Sequence, residues 1–185
     1  MPAVVLIHGG YWQTGDKQSH ARLASRVMQW GYAAFAINYR LAPDFAFPAA
    51  VEDVQCAVAW VRKQASEYGI AQSYRASWYV RRIVKTFLGC PCQAAAGLCQ
   101  KASSMTYVTA MAPPTLLVHG TEDDVVGCEN SQRLATALEE AGADVTYLPI
   151  QEAEHGFVLR IGTPEAETAL VAIEAFLAEV FEDAH

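Results

Sequence analysis

The sequence contains no apolar run approaching the roughly 18 residues that a membrane-spanning helix needs. Charge of either sign is sparse, 18% of 185 residues, and the net of −7 leaves no basic excess for nucleic acid or an anionic membrane surface. The first residues lack the basic stretch and small-residue cleavage site of a secretory leader, so a cytoplasmic location is expected. Paired Cys-x-x-Cys or Cys/His spacings are missing too, which argues against structural zinc. The five cysteines, Cys56, Cys90, Cys92, Cys99 and Cys128, are an odd number and read as free thiols rather than a disulfide framework. Cys90-Pro91-Cys92 with Cys99 has no fourth ligand close by, so no metal is expected there. No internal repeat or low-complexity tract occurs.

What is present is enough for a real core: 52% hydrophobic residues and a mean hydropathy of +0.11, read as one domain spanning 1–185. Ala3 to Ile7 is an apolar run read as a buried strand, and it breaks into His8-Gly9-Gly10. Adjacent glycines let a chain bend sharply and bring its N–H groups close to a ligand. Apolar or small residues at Ala21, Leu23, Ala24, Val27 and Met28 then suit a one-faced helix over 19–30, closed by Gly31. A second strand-length run, Tyr32 to Tyr39, follows. Strand, helix and strand in this order imply a parallel pair with a right-handed crossover. Pro48 opens a helix to about residue 68, with Val51, Val54, Val58 and Val61 inward. Glu52 and Asp53 in its first turn and Arg62 and Lys63 near its end suit the helix dipole.

From residue 71 the composition changes. Between Ala71 and Thr121 there is no Asp or Glu, yet there are five basic residues, Arg75, Arg81, Arg82, Lys85 and Lys101. Such a shift marks an inserted, spliced or functionally distinct segment, placed at about 71–112. Trp78 to Leu88 is expected to form a short helix, whereas 90–109 shows no period. Tyr74, Trp78 and Tyr79 interleave with the basic residues, but the acidic flanks and the lack of any known module argue against nucleic-acid binding.

Regular patterning resumes with a strand at 115–120, a helix at 129–141 with Leu134, Ala135 and Leu138 inward, and a strand at 145–150. A last helix, 164–181, buries Ala166, Leu170, Ile173, Leu177 and Val180. Alternating strands and helices predict an α/β three-layer sandwich: a short, mostly parallel sheet of about four strands with helices on both faces.

In such a sheet functional residues belong at the carboxyl ends of strands. Three loops there carry candidates: His8-Gly9-Gly10, then Asp123 and Asp124, then His155. An acid on one loop and a histidine 32 positions on can meet above the sheet edge as the orienting half of a nucleophile, base and acid triad. Gly156 permits a bend that projects the imidazole. Taken singly, Asp123 also reads as a carboxylate capping the next helix, and His155 as a solvated loop histidine. A flavodoxin-like nucleotide-binding domain would share the topology, but no Gly-rich phosphate loop opens a helix here.

His8-Gly9-Gly10-Tyr11-Trp12, Asn38-Tyr39-Arg40-Leu41-Ala42-Pro43, His119-Gly120-Thr121-Glu122-Asp123-Asp124-Val125-Val126 and Glu154-His155-Gly156-Phe157 together resemble the α/β-hydrolase superfamily. The resemblance is to its hormone-sensitive-lipase-type esterases and, through His8 to Gln13 and Asp16-Lys17, to kynurenine formamidases and feruloyl-esterase-like relatives. It covers about residues 2–70 and 103–182. It implies that Asp123 is the triad acid and His155 the general base. It also implies an oxyanion hole from the N–H groups of Gly10 and Tyr11, with Gly9 allowing close approach, and a reaction that needs no cofactor.

The departures are as informative. The family presents its serine on a strained Gly-x-Ser-x-Gly turn after the helix that ends near Gly69, and this chain has no Gly-x-Ser-x-Gly. Ser77, with Ser73 before it, is the nearest hydroxyl to that place. About two central strands with their helices, and the family's two leading strands, are expected to be missing. The expected fold is therefore an incomplete α/β-hydrolase of four parallel strands, in the order second, first, third, fourth. Such a sheet leaves edges to cover, so a homodimer is a possible state. Two functions follow: a hydrolase of small carboxylic esters or aryl-formamides acting by acyl transfer, or an inactive truncated remnant that binds only a small ligand or partner.

Overall fold

A computed structural model describes residues 1–70 and 96–182. The helix expected at 78–88, the candidate Ser77, and Cys90 and Cys92 lie outside the described residues. The described chain falls into two compact units, one of residues 1–70 with 96–102, the other of 103–182.

In the first unit, β1 (Ala3–Ile7) pairs in parallel with β2 (Ala33–Ile37), Val5 opposite Phe35 and Ile7 opposite Ile37. The crossover is α1 (Ala21–Gln29), which packs against β2 and is preceded by a 3₁₀ turn at Lys17–His20. α2 (Ala49–Lys63) crosses one face of the pair. Its C-terminal end and the following turn bring Val61, Ala65 and Ile70 against Ala3, Val5, Ala33 and Phe35. Its first turn places Ala50 near Tyr39 and Ile7. The helix therefore runs antiparallel to the strands. A further helix, α3 (Ala96–Ala102), lies where the sequence showed no period, and it contributes Ala102 to the Tyr39 cluster.

The second unit opens with a 3₁₀ turn at Ser104–Tyr107, in the same stretch without period. β3 (Thr115–Gly120) then pairs in parallel with β4 (Val145–Ile150), joined through α4 (Glu129–Glu140), and α5 (Pro164–Glu182) closes the unit. Here the three layers are explicit. Leu117, Val145 and Tyr147 pack toward Leu134, Ala135 and Leu138 of α4. Val118, Leu148 and Ile150 pack with Phe157 and with Ala169 of α5 on the other face. Alternate strand residues thus feed opposite helices, which is the period-2 rule of a sheet buried on both sides.

Three expectations need correction. Among the described residues the strands form two two-stranded parallel sheets, β1–β2 and β3–β4, in place of one four-stranded sheet in the order second, first, third, fourth. Each ladder is made by its own short crossover, and the described part of segment 71–112 is helix and turn, with no strand to carry pairing onward. β1 is half-buried along its whole length, not buried, since a strand paired on one edge keeps part of its surface open. Met28 and Val51, placed on inner helix faces by spacing, are 56% and 37% exposed; each sits at the margin of an apolar stripe whose centre is Val27 or Val54.

Glu52 and Asp53 have a more specific task than favouring a helix dipole. Asp53 takes Arg40 Nε at 2.9 Å and the Arg40 backbone N–H at 2.8 Å, and Glu52 takes Arg40 Nη2 at 3.2 Å. This fork ties the loop after β2 to the start of α2.

Candidate functional site

The second unit builds the site from two loops. The loop after β3 carries Asp123 and the loop after β4 carries His155, and backbone bonds lace them together. Thr121 N–H donates to Ile150 O at 2.9 Å, Glu122 N–H to Ala153 O at 3.0 Å, and Glu152 N–H to Thr121 Oγ1 at 3.0 Å. Gly120 is required where they meet, because a Cβ there would collide with the Ala153 carbonyl. The parallel register of β3 and β4, with His119 opposite Pro149, delivers both loops to the same sheet end.

Asp123 is held at both oxygens. Oδ1 accepts the N–H groups of Val125 at 3.0 Å and Val126 at 2.7 Å. Oδ2 accepts from His155 Nδ1 at 2.8 Å. Its side chain is only 6% exposed, and burial alone would raise its pKa. The Val126 N–H, the His155 ring and the Val125 N–H outweigh that burial and hold the carboxyl below the ordinary range. The capping reading is half right: Asp123 does cap backbone N–H groups, but those of its own turn, five residues before the helix is approached at Cys128.

His155 sits between two anchors. Ala153 and Phe157 are buried, whereas Glu154, His155 and Gly156 are exposed, so the loop is pinned on both sides of the imidazole. Gly156 adopts φ 71°, the left-handed bend that turns the chain into a 3₁₀ turn at Phe157–Leu159. Glu154 pairs with Arg160 at 2.8 Å across that bend. With Nδ1 committed to Asp123, the ring is fixed in the orientation that makes Nε2 the basic nitrogen, the geometry of a general base oriented by a carboxylate.

Two residues missed in the sequence complete the cluster. His119 at the end of β3 is buried, its Nε2 lying 2.7 Å from Val126 O and 3.2 Å from Asp123 Oδ2. Its Nδ1 lies 2.7 Å from Oγ of Ser131 on α4. The signal was there: His119 stands four residues before Asp123, directly before the glycine turn. Beside the cluster is a cavity of about 350 Å³, whose apolar walls include Leu116, Val118, Phe157 and Ile173 and whose polar lining is His119, Asp123 and His155.

The first unit holds the glycine turn. Gly10 has φ +113°, and a Cβ there would strike the Thr14 carbonyl. Gly10 O accepts from Gln13 N–H at 3.0 Å and Thr14 N–H at 2.9 Å, closing the turn. Tyr11 and Trp12 both have φ 60°, a left-handed conformation costing about 1–2 kcal/mol per non-glycine residue. Ala42 N–H donates to Trp12 O at 2.7 Å, and Trp12 packs into the Tyr39 cluster; both hold that backbone in place. Gly10 N–H makes no hydrogen bond to another described residue. His8 is scaffold: it is buried, stacked on Tyr39 at 4.3 Å, and bonded through Nδ1 to Gly9 O. A Cβ on Gly9 would meet nothing within 4 Å, so its outer side is open.

The chain is similar to known proteins along nearly its whole length. The chain is 26% identical over 235 residues to esterase LipQ of Mycobacterium tuberculosis, covering 97% of this chain and 56% of that protein. It is 26% identical over 244 residues to the probable carboxylic ester hydrolase LipM of the same organism, covering 100% and 56%. The chain thus spans about half the length of the curated relatives it matches. It has 185 residues for the 244 positions aligned with LipM, so about 59 of those positions are gaps on its side. Among solved structures, esterase 2 of Thermogutta terrifontis phosphorylated by paraoxon superposes with a TM-score of 0.80 at 22% identity, covering 97% of this chain and 82% of the other. The thermostable carboxylesterase EstE1, from a metagenomic library, gives 0.80 at 19%, covering 100% and 80%. These structural likenesses establish the α/β-hydrolase fold, incomplete in this chain. The BD-FAE family model matches in two stretches, residues 1–78 and 73–138, which meet where the serine turn would fall. Carrying that pattern over most of its length, the chain belongs to the BD-FAE family of α/β-hydrolases, as a shortened member without the Gly-x-Ser-x-Gly turn.

Proposed function

We propose that this chain is a hydrolase of small carboxylic esters or aryl-formamides that works by acyl transfer, with His155 as general base and Asp123 as the acid that orients it. The observation that carries the reading is the 2.8 Å contact between His155 Nδ1 and a carboxylate whose other oxygen is clamped by two backbone N–H groups. A solvated loop histidine would have no such partner. In the proposed reaction, a hydroxyl attacks the acyl carbon as Nε2 of His155 takes its proton. The tetrahedral oxyanion is received by the N–H groups of Gly10 and Tyr11, with Gly9 leaving the approach open. His155 then returns the proton to the leaving alcohol or amine, and water releases the acyl group by the same steps in reverse. No cofactor takes part. Ser77 is the candidate nucleophile on sequence grounds, within the 73–78 stretch where the two family matches overlap. The walls of the cavity beside His155 suit a small apolar acyl group.

The test uses paraoxon, the reagent that phosphorylates the Thermogutta terrifontis esterase. Treatment of the full chain followed by peptide mass spectrometry should give a single adduct, on Ser77, that His155→Ala abolishes. An intact chain with no adduct and no ester turnover would instead leave a binding-only remnant.

A further inference from the structure

The esterase reading uses His155 and Asp123 but gives no task to the two buried polar residues behind them. Ser131 is the one polar side chain on the inner face of α4 among Leu134, Ala135 and Leu138, and it is 1% exposed. His119 is 7% exposed and lies at the end of β3, beyond the buried Leu117 on the same face. Burying a hydroxyl and an imidazole is costly unless their hydrogen bonds are made inside. They are made to one another and to the Asp123 turn.

The proton positions follow from the partners. Val126 O can only accept, so the His119 Nε2 that lies 2.7 Å away carries the hydrogen. In the neutral ring Nδ1 is then an acceptor, and the Ser131 hydroxyl at 2.7 Å is its donor. Ser131 thereby fixes which nitrogen of His119 bears the proton. That proton-bearing nitrogen also lies 3.2 Å from Asp123 Oδ2, the same oxygen that binds His155. Val126 is gripped from both ends: its carbonyl by His119, its N–H by Asp123 Oδ1.

We propose that Ser131 and His119 form a positioning pair for Asp123, holding its carboxylate in place through Val126 and through Oδ2, so that Oδ2 is aimed at His155. The pair acts through Asp123, although His119 also lines the cavity beside it, and the proposal rests on the esterase reading only for what Asp123 then does. The groups facing Asp123 are His119 on β3, His155 on the loop after β4 and the two turn N–H groups; the neighbouring carboxylates Glu122 and Asp124 are exposed.

The test is a carboxyl-carbon NMR titration of Asp123 in the full chain, with the His155 Nδ1–H resonance followed alongside. His119→Phe removes the hydrogen bond to Val126 O and the 3.2 Å approach to Oδ2, and should raise the Asp123 midpoint. His119→Gln keeps an amide donor and should restore most of the wild-type midpoint, a rescue that a purely structural role would not give. Ser131→Ala removes one oxygen atom and should move the midpoint less, in the same direction, with broadening of the His155 Nδ1–H signal. If His119→Phe fails to fold, the Gln and Ala variants still decide the matter. An Asp123 midpoint unchanged in folded variants overturns the pair. A shifted midpoint in a chain that takes no paraoxon adduct upholds the pair and sinks the esterase reading.

Discussion

The two units carry chemistry of different kinds on the same strand-helix-strand plan. In the first, the groups proposed to act are main-chain N–H groups, held by a turn in which Gly10, Tyr11 and Trp12 all have positive φ. In the second they are side chains, with Asp123 clamped by two N–H groups and bonded to His155. Backbone chemistry depends on conformation, and a substitution there acts through strain. Side-chain chemistry depends on charge and hydrogen bonding, and a substitution there can leave the fold intact while removing the function.

The largest effect that follows lies in the second unit. His155→Ala removes the proposed base, and Asp123→Asn removes the carboxylate proposed to orient it. Either should lower ester turnover by about 10⁴-fold, the loss seen when the acid of a serine-protease triad is replaced by its amide. Thermal melting should move little for His155→Ala, because the ring is 46% exposed. The check is hydrolysis of a short-chain p-nitrophenyl ester beside a melting curve. A His155→Ala chain that keeps its turnover would detach the Asp123–His155 pair from catalysis.

The contrast predicts a different signature at the glycine turn. Gly10→Ala forces a methyl group into the Thr14 carbonyl at φ +113° and should displace the N–H groups of the turn. Loss of one oxyanion donor is worth about 10²- to 10³-fold in turnover, and here it should come with a lowered melting temperature. Gly9→Ala meets no protein atom and should leave the melting temperature nearly unchanged, while its methyl group, standing in the open approach, lowers turnover without unfolding the chain. An equal fall in melting temperature at Gly9 and Gly10 would mean that strain at this turn is not what separates them.

Much of this was legible in the sequence, for identifiable reasons. The strands at 115–120 and 145–150 and the helices beginning at 129 and 164 follow from period and punctuation, and loops at strand ends put Asp123 and His155 together. His119 and Ser131 escaped because their roles depend on three-dimensional neighbours 4 and 12 positions apart in sequence, with no periodic or glycine signal to mark Ser131. The division into two sheets escaped because hydrophobic pattern reports which residues are inward, not which strand edges meet. α3 escaped because a seven-residue helix is too short to show a period.

The smallest effect, and the one that separates the units most cleanly, is in acid. In the first unit His20 is buried; burial, and then the nearby His8, push its pKa below the ordinary value. A histidine whose folded pKa is depressed binds fewer protons folded than unfolded. Its contribution to stability is therefore complete above the unfolded value of about 6.5 and declines as the pH falls through the folded pKa. In the second unit the carboxyl of Asp123 is held low despite its burial, by the Val126 N–H, His155 and the Val125 N–H. Its contribution is complete above the unfolded value of about 3.9 and is lost only as the pH falls below that, through the folded pKa. Asp53, held low by its hydrogen bonds to Arg40 against a smaller opposing effect of burial, adds a similar late step to the first unit. Amide hydrogen exchange at Val5 and Phe35 should thus begin to quicken below about pH 6.5, while exchange at Leu117 and Tyr147 holds until about pH 4. His20→Gln should remove the early step and leave the late one, and Asp123→Asn should abolish the acid step in the second unit alone. If both strand pairs opened together at one pH in every variant, the two units would be a single cooperative body, and the difference between them would lie in chemistry and not in stability.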